Sequence, residues 1–234
     1  MLTAEQSQST AQHTHAIPFT IPVNVAFHRP SSEGRNRVET FLKQGFYDSF
    51  QVTPTSYMPL IMETTDLNSR TTACFGIRDI SESTAFLEHY LSASVEQAIA
   101  EQIGAPVDRK SIIELGSIIS RTKGAGGWLI IAATAWLRGA GYQWGVLTAT
   151  DDLKGALAKQ GVKLYKLADA KLEHLPEAER NNWGSYYDHD PVVYAAPVQH
   201  TYKQFVSNPM ILKTMGGLMT YCHTLGQQGI FHGR

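Results

Sequence analysis

Cysteine is scarce: Cys74 and Cys222 are the only two among 234 residues. They lie far apart in the chain and in no metal-ligand spacing. They therefore read as reduced thiols, not as a disulfide framework or a zinc site. Long apolar runs are also missing. The longest, residues 128–137, falls well short of the ~20 residues that span a bilayer. Charge of one sign is nowhere concentrated: 20 Lys and Arg face 21 Asp and Glu, for a net charge of −1. Without a Lys/Arg cluster, nucleic acid is an improbable partner, because its phosphates demand concentrated positive charge. No His-Glu-x-x-His, cysteine cluster or Gly-x-Ser-x-Gly occurs, which argues against metallohydrolase and serine-hydrolase chemistry. His13 and His15 stand too close together and to the terminus to hold a metal, so no metal site is expected. The polar stretch Met1–His15 has neither a basic start nor an apolar core. That predicts no secretion leader and a cytoplasmic, soluble protein.

What is present suits one domain with a polar tail. Hydrophobic residues make up 43% of the chain, enough to bury a substantial core at this length. Residues 1–20 are expected to be a flexible N-terminal tail, 21–198 a domain, and 199–234 a C-terminal helical extension. Partial alternation over 21–29 reads as a strand. Ser31, Ser32 and Glu33 then cap a helix over about 34–44. Residues 57–63 and 71–79 read as a hairpin joined by the turn residues 66–70. Helix 94–103 follows, with Ser94 as its cap and Gly104 and Pro106 at its end. Strand 111–119, helix 127–138, strand 144–150, helix 151–160 and strand 162–167 come next, and residues 192–198 form a last strand. This order predicts crossovers, at least two parallel strands and a mixed α/β sheet with helices on both faces. In the last stretch, positions 211, 212, 215, 218, 219 and 222 mark one helical face.

The run from Ser111 to Arg138 carries the most information. A buried strand leads into a basic glycine loop, which opens an apolar helix. A helix start offers unpaired N–H groups and a positive dipole end, and glycines let backbone approach a phosphate. Several other residues suggest chemistry. Glu114 is a carboxylate inside an otherwise apolar strand, where burial would raise its pKa to suit a general base. The alternatives are a solvated strand face or an ion pair with Arg78. Arg78 itself either orients Glu114, clamps a substrate carboxylate or ends a strand at the surface. Thr148 sits at the end of strand 144–150, where α/β sites gather their groups. Trp183, Tyr186 and Tyr187 belong to a stretch dense in aromatic and polar groups. They either wall a substrate pocket or pack a loop.

Arg121-x-x-Gly124-x-Gly126 fits the acyl-CoA pyrophosphate loop of the GNAT acyltransferases, (Gln/Arg)-x-x-Gly-x-(Gly/Ala). The segments Phe75-Gly-Ile-Arg78, Phe86-Leu-Glu-His-Tyr-Leu91, Ile113-Glu-Leu-Gly-Ser117, Trp144–Leu153 and Trp183-Gly-Ser-Tyr-Tyr187 resemble the thermostable hemolysin family over about 25–198. The Arg-bearing strand, variable middle and Glu-bearing strand are also similar to acyl-homoserine-lactone (autoinducer) synthases. These resemblances imply a GNAT-like sheet splayed open after its fourth strand, with a thioester in the gap. They place the donor against Ile118, Ser120, Arg121, Lys123, Gly124, Gly126 and Gly127. Glu114, Arg78 and Thr148 would be the catalytic groups. The implied activity is transfer of an acyl group to the amine of a small molecule or amino acid. The donor would be acyl-CoA or the phosphopantetheine arm of acyl carrier protein, a co-substrate and not a tightly bound cofactor. One departure stands out. The position where many GNATs carry a Tyr general acid, counted back from Gly161, is Leu157. The competing expectation is a non-catalytic, membrane-active protein acting through the amphipathic segment 205–222, with membrane contact otherwise minor.

Overall fold

A computed structural model describes residues 24–229. The expected tail over 1–20, the start of the first expected strand and the last residues of the chain lie outside that range. The elements follow in the order β1 (Asn24–His28), α1 (Arg35–Phe50), β2 (Leu60–Thr65), β3 (Thr71–Asp79), α2 (Val95–Ile103), β4 (Ile112–Ser120), α3 (Ala125–Gly139) and β5 (Trp144–Ala149). They continue with α4 (Asp151–Lys159), β6 (Tyr165–Asp169), the short α5 (Glu177–Arg180), β7 (Val192–Pro197), α6 (Val198–Val206) and α7 (Pro209–Gln227). The seven strands form one mixed sheet in the order β1-β2-β3-β4-β5-β7-β6. Only β4 and β5 pair in parallel; the other neighbours are antiparallel.

Alternation along the strands sorts the core onto two faces. On one, Ile113, Leu147 and Tyr194 pack with Leu129, Ile131, Ala132 and Trp136 of α3. On the other, Ile112, Val146, Val193 and Ala195 pack with Val95 and Ile99 of α2, and Ile61, Cys74 and Ile119 pack with Val38 and Leu42 of α1. The β2–β3 hairpin turns as expected at 66–70. There the Asp66 carboxylate accepts the amides of Asn68 and Arg70, both at 2.9 Å, and Ser69 takes φ 58°.

The parallel ladder between β4 and β5 is short. It runs from Ile112↔Trp144 to Leu115↔Leu147 and stops. Beyond that point β5 pairs only with β7, and β4 pairs only with β3. The strands therefore part beside Gly116–Ser120. The same stretch carries a β-bulge. Cys74 pairs with Ile119 and Gly76 with Gly116, so Ser117 and Ile118 together oppose Phe75. Ser117 takes the left-handed φ of 50° that such an extra residue often requires.

Four expectations need correction. Helix α1 starts at a Gly34 cap without a side-chain bond, so Ser31, Ser32 and Glu33 do not cap it. It also runs on to Phe50. Gly45 reads as a stop in the sequence, but a Cβ there would meet Ile119 Cγ2 at 2.3 Å. This glycine serves the close approach of α1 to β4 and does not end the helix. Ser94 occupies the cap position of α2 without a capping hydrogen bond. Strand β6 begins only at Tyr165.

The fourth correction concerns the C-terminal segment, which is two helices. Asn208 breaks it, accepting the amides of Met210 and Ile211 ahead of Pro209 at the start of α7. The buried face of α7 is Met215, Met219, Cys222 and Gly226, whereas Leu212 is 45% exposed. Phe205, Met215, Met219 and Cys222 belong to the main core with α3. The apolar side that the sequence offered to a bilayer is thus turned largely onto the protein. No helix among the described residues is long and apolar enough to cross a membrane.

Helices α3 and α7 touch backbone to backbone. A Cβ at Gly139 would lie 2.0 Å from the His223 carbonyl oxygen, and one at Gly226 would lie 2.3 Å from that of Trp136. Gly226→Ala is therefore expected to force the helices apart and cost ~1–3 kcal/mol. Denaturant unfolding should show it, with Gly217→Ala, at an open position of the same helix, unchanged or slightly more stable.

Candidate active site

Antiparallel register brings Arg78 directly opposite Glu114. The Arg78 guanidinium donates to Glu114 Oε2 at 3.2 Å. Glu114 is only 3% exposed. Its other partners are backbone amides at the start of the 3-10 turn Phe86–Tyr90: Phe86 donates to Oε2 at 3.1 Å and Leu87 to Oε1 at 2.9 Å. Burial pushes the Glu114 carboxyl above its ordinary value, against the opposing pull of these amides and of Arg78. The ion pair with Arg78, one of the alternatives the sequence offered for Glu114, is thus present.

The turn that holds Glu114 is itself fastened by a second carboxylate. Glu88 accepts the amides of Ala85 at 2.7 Å and Val95 at 2.9 Å. Arg109 grips both its oxygens at 2.8 Å and also reaches Glu96 and the carbonyls of Ile80 and Ser83. Burial alone would raise Glu88, but Arg109 and the two amides outweigh it and hold the carboxyl below its ordinary value. Nothing in the local sequence marks Arg109 for this task, and it was not anticipated.

Two glycines face each other next to the Arg78–Glu114 pair. At Gly76 a Cβ would meet Met58 Cβ at 2.7 Å, and at Gly116 it would meet Met58 Cε at 2.6 Å. Met58 therefore lies across the sheet where β4 and β5 begin to part. Its backbone carbonyl is held at 2.8 Å by the buried Arg35. Thr148 pairs with Val193 at the end of β5, on the same face as Glu114, and is half-buried.

Trp183, Tyr186 and Tyr187 gather beside this face. Phe86, whose amide holds Glu114, lies 5.5 Å from Trp183, and Trp183 lies 5.5 and 5.8 Å from Tyr186 and Tyr187. The Tyr187 and Tyr90 hydroxyls are hydrogen-bonded at 2.5 Å. Tyr186 stacks edge-on against Phe50 at the end of α1. Gly184, with φ 50°, brings the loop against the Phe50 carbonyl, where a Cβ would stand at 2.3 Å. The stretch packs as an aromatic cluster beside the turn that holds Glu114.

At the far end of β4, Ser120 leads into the basic loop. Gly124 caps α3 with φ 83°, a conformation that favours glycine. The amides of Ala125, Gly127 and Trp128 turn back onto the carbonyls of Thr122 and Gly124. Those of Gly124 and Gly126 have no backbone partner among the described residues. Arg121 and Lys123 are exposed, and Arg121 reaches Asp48 of α1 at 2.9 Å with both side chains about half exposed (44% and 45%). Gly127 faces away from the loop, since a Cβ there would meet the Gln160 amide at 2.7 Å. Ile118 and Ser120 flank the unpaired edge of β4, with Ile118 half-buried and Ser120 exposed.

On the opposite face of the sheet, next to the parting strands, lies a narrow cavity of ≈ 70 Å³. Leu115, Ile118 and Leu147 line it at the splay, and Leu129, Ala133 and Leu137 of α3 cover it. No group of His, Cys, Asp and Glu among the described residues is arranged to hold a metal ion. The two thiols are buried, Cys222 with its pKa pushed up to about 12 by burial.

A mixed sheet parted after its fourth strand, with a glycine loop and helix at the end of that strand, is the GNAT-like α/β fold. The chain belongs to the thermostable hemolysin family, whose model matches residues 28–202. No curated protein matches it. Among solved structures, TofI in an apo form is similar at 9% identity and a TM-score of 0.56, covering 80% of this chain and 99% of that one. A CoA-dependent acyl-homoserine lactone synthase, BjaI, with SAM and isopentyl-CoA, is similar at 10% identity and a TM-score of 0.51, covering 86% and 98%. At these identities the likeness is one of fold.

Proposed function

We propose that this chain is an N-acyltransferase that moves an acyl group from an acyl thioester to the amine of a small molecule or amino acid. The observation that carries this reading is the end of β4–β5 pairing at Leu115↔Leu147, on the same strand that leads into the basic start of α3. A thioester laid in that gap meets unpaired β4 backbone. N–H donors fixed there would stabilise an oxyanion as it develops. The phosphate of CoA or of a carrier-protein arm is directed to Arg121, Lys123 and the free amides of Gly124 and Gly126. Ile118 and Ser120 flank the arm, while Gly127 contributes room toward Gln160 without touching the phosphate.

The acyl chain and the amine then approach from opposite faces of the sheet. The apolar cavity on the α3 face takes the chain. The amine enters on the face of Glu114, Arg78 and Thr148, walled by Trp183, Tyr186 and Tyr187. Its nitrogen attacks the carbonyl carbon, a C–N bond forms and the C–S bond breaks. Among the described residues Oε1 of Glu114 accepts only the Leu87 amide, which leaves a lone pair for the amine proton, directly or through water. Arg78 holds the carboxylate in place. The proton accepted by Glu114 passes through water to the thiolate, which restores the base, and a thiol pKa near ~8.5 makes the thiolate a tolerable leaving group without a Tyr acid.

Arg121→Ala tests the donor side. It removes a phosphate contact and not the proton acceptor, so the KM for the donor should rise ~10-fold or more with kcat largely retained. Asp48→Asn frees the same guanidinium from its partner and should lower that KM. Unchanged donor KM in both variants would remove the loop from the donor site.

A further inference from the structure

Resting on the acyltransferase reading, we infer that Met58 closes the Glu114 face against bulk water where β4 and β5 part, so that Glu114 deprotonates the amine and not a water molecule. The need is chemical. A carboxylate placed to take a proton from an amine is equally placed to take one from water. Water would then attack the thioester carbon, a C–O bond would form, the C–S bond would break, and the donor would be lost as free acid. Excluding water from the site suppresses this side reaction.

The Met58 side chain lies where that task requires it. Its Cβ, Cγ and Sδ stand 2.7, 2.9 and 2.8 Å from where a Gly76 Cβ would be, and its Cε stands 2.6 Å from where a Gly116 Cβ would be. The thioether thus crosses from β3 to β4 and ends with its methyl over Gly116. That residue is the first on β4 beyond the last pair with β5, Leu115↔Leu147. Gly76 and Gly116 pair with each other, two residues along their strands from Arg78 and Glu114. Side chains so spaced share a face of the sheet. Met58 therefore occupies the place next to the Arg78–Glu114 pair, on the side of the basic loop. A side chain at either glycine would lift it off. Glycine inside a strand weakens it and marks a close approach; here a facing pair of glycines seats one methionine.

Met58 is also held in place. Residues 51–59 connect α1 to β2, and this strap is tied at both ends. At one, the Ser185 amide and hydroxyl donate to the Phe50 carbonyl at 3.0 and 3.2 Å, which joins it to the Trp183 loop. At the other, the Arg35 guanidinium donates to the carbonyls of His28 and Met58, each at 2.8 Å, and Arg35 is only 4% exposed. The turn that supplies the Phe86 and Leu87 amides covers Glu114 as well. The β5 side, by Thr148, is left for the amine.

The fate of the acyl group tests this. The full chain is given an acyl thioester and an amine that the native protein acylates, and amide and free acid are weighed by mass spectrometry after subtraction of protein-free hydrolysis. The native protein should give mostly amide. Met58→Ala should raise the share of free acid at least ~5-fold while thiol release continues. Met58→Leu nearly conserves the volume and should keep the native ratio. Gly76→Ala displaces Met58 from the sheet side, should reproduce Met58→Ala, and stands in if that variant does not fold. The product ratio does not depend on how much protein is folded, so lost stability alone leaves it unmoved. An unchanged ratio overturns the inference and leaves the acyltransferase reading standing. If no amine is acylated, that reading falls, and NMR titration of the Glu114 carboxyl carbon decides the inference instead. Burial is the chief cause that raises this carboxyl, and Arg78 and Glu88 are the charged groups that act on it. Admitting water in Met58→Ala should bring its midpoint down toward the ordinary carboxylate range. A midpoint equal to the native one would overturn the inference.

Discussion

Glu114→Gln is expected to lower turnover by ~10²–10⁴, the range for loss of a positioned general base. The substitution also has a structural consequence. Glutamine presents one acceptor oxygen where two are used, so either the Phe86 or the Leu87 amide will face an NH2 group. That conflict is expected to cost ~1–3 kcal/mol of stability. Activity should therefore be measured well below the variant's unfolding midpoint. A pH profile separates the two effects. The Glu114 pKa is raised in the folded protein, chiefly by burial, and the base must be ionised to work. Activity of the native protein should thus rise with pH through an acid limb placed above the ordinary carboxylate range. The residual activity of the variant should lack that limb. The stability contribution has the opposite sign: a carboxyl whose folded pKa is raised stabilises the fold below its unfolded pKa, and this is lost as pH rises through the folded value. If activity is lost only in proportion to unfolding, and the limb remains in Glu114→Gln, Glu114 holds the Phe86–Tyr90 turn and does not accept the proton.

The second large effect belongs to Arg109→Met. This change removes every donor from a guanidinium that grips both oxygens of Glu88 as well as Glu96, Ile80 and Ser83. Glu88 is left with a side chain only 10% exposed and with no cation. Stranding a buried carboxylate is expected to cost roughly 3 kcal/mol, which for a domain of this size lowers the melting midpoint by about 6–12 °C. The pH dependence identifies the cause. The Glu88 pKa is lowered in the native protein, so its contribution is present above the ordinary carboxylate range and disappears as pH falls through the folded value. The native protein should lose this part of its stability on acidification, and Arg109→Met should show less of that acid-side decline. A midpoint within a degree of the native value at neutral pH would mean that the cluster does not hold the segment. Because the same segment presents the Phe86 and Leu87 amides to Glu114, activity should fall as well.

The parts of the fold legible in the sequence are those written in short range. The strand, glycine loop and apolar helix from Ile112 to Gly139 follow from local apolar patterning and from a glycine at the positive-φ cap of the helix, Gly124. The β2–β3 hairpin follows from its Asp66 turn. The Arg78–Glu114 ion pair was among the alternatives open from the sequence, because Glu114 is a charged interruption of an apolar strand. What the sequence hid depends on contacts between distant segments. Gly45 looks like a helix stop until Ile119 is seen beneath it. Gly76 and Gly116 carry no local signal, since their purpose appears only when register sets them opposite each other under Met58. Arg109 lies beyond helix α2, and its targets come together only when the loop ahead of that helix folds back. The break at Asn208 was available to inspection, because a capping residue followed by Pro at the first helical position is a start signal. The continuous apolar spacing across it masked the signal.

The central claim is acyl transfer, and one measurement addresses it most directly. The purified full chain is incubated with a panel of acyl thioesters and small amines, with release of free thiol followed in time and the products weighed by mass spectrometry. The account predicts thiol release that depends on the amine, a product whose mass is that of the amine plus the acyl group less one hydrogen, and loss of both in Glu114→Gln. Thiol release that proceeds equally without any amine and yields only the free acid, or no release with any CoA or carrier-protein thioester, would contradict it.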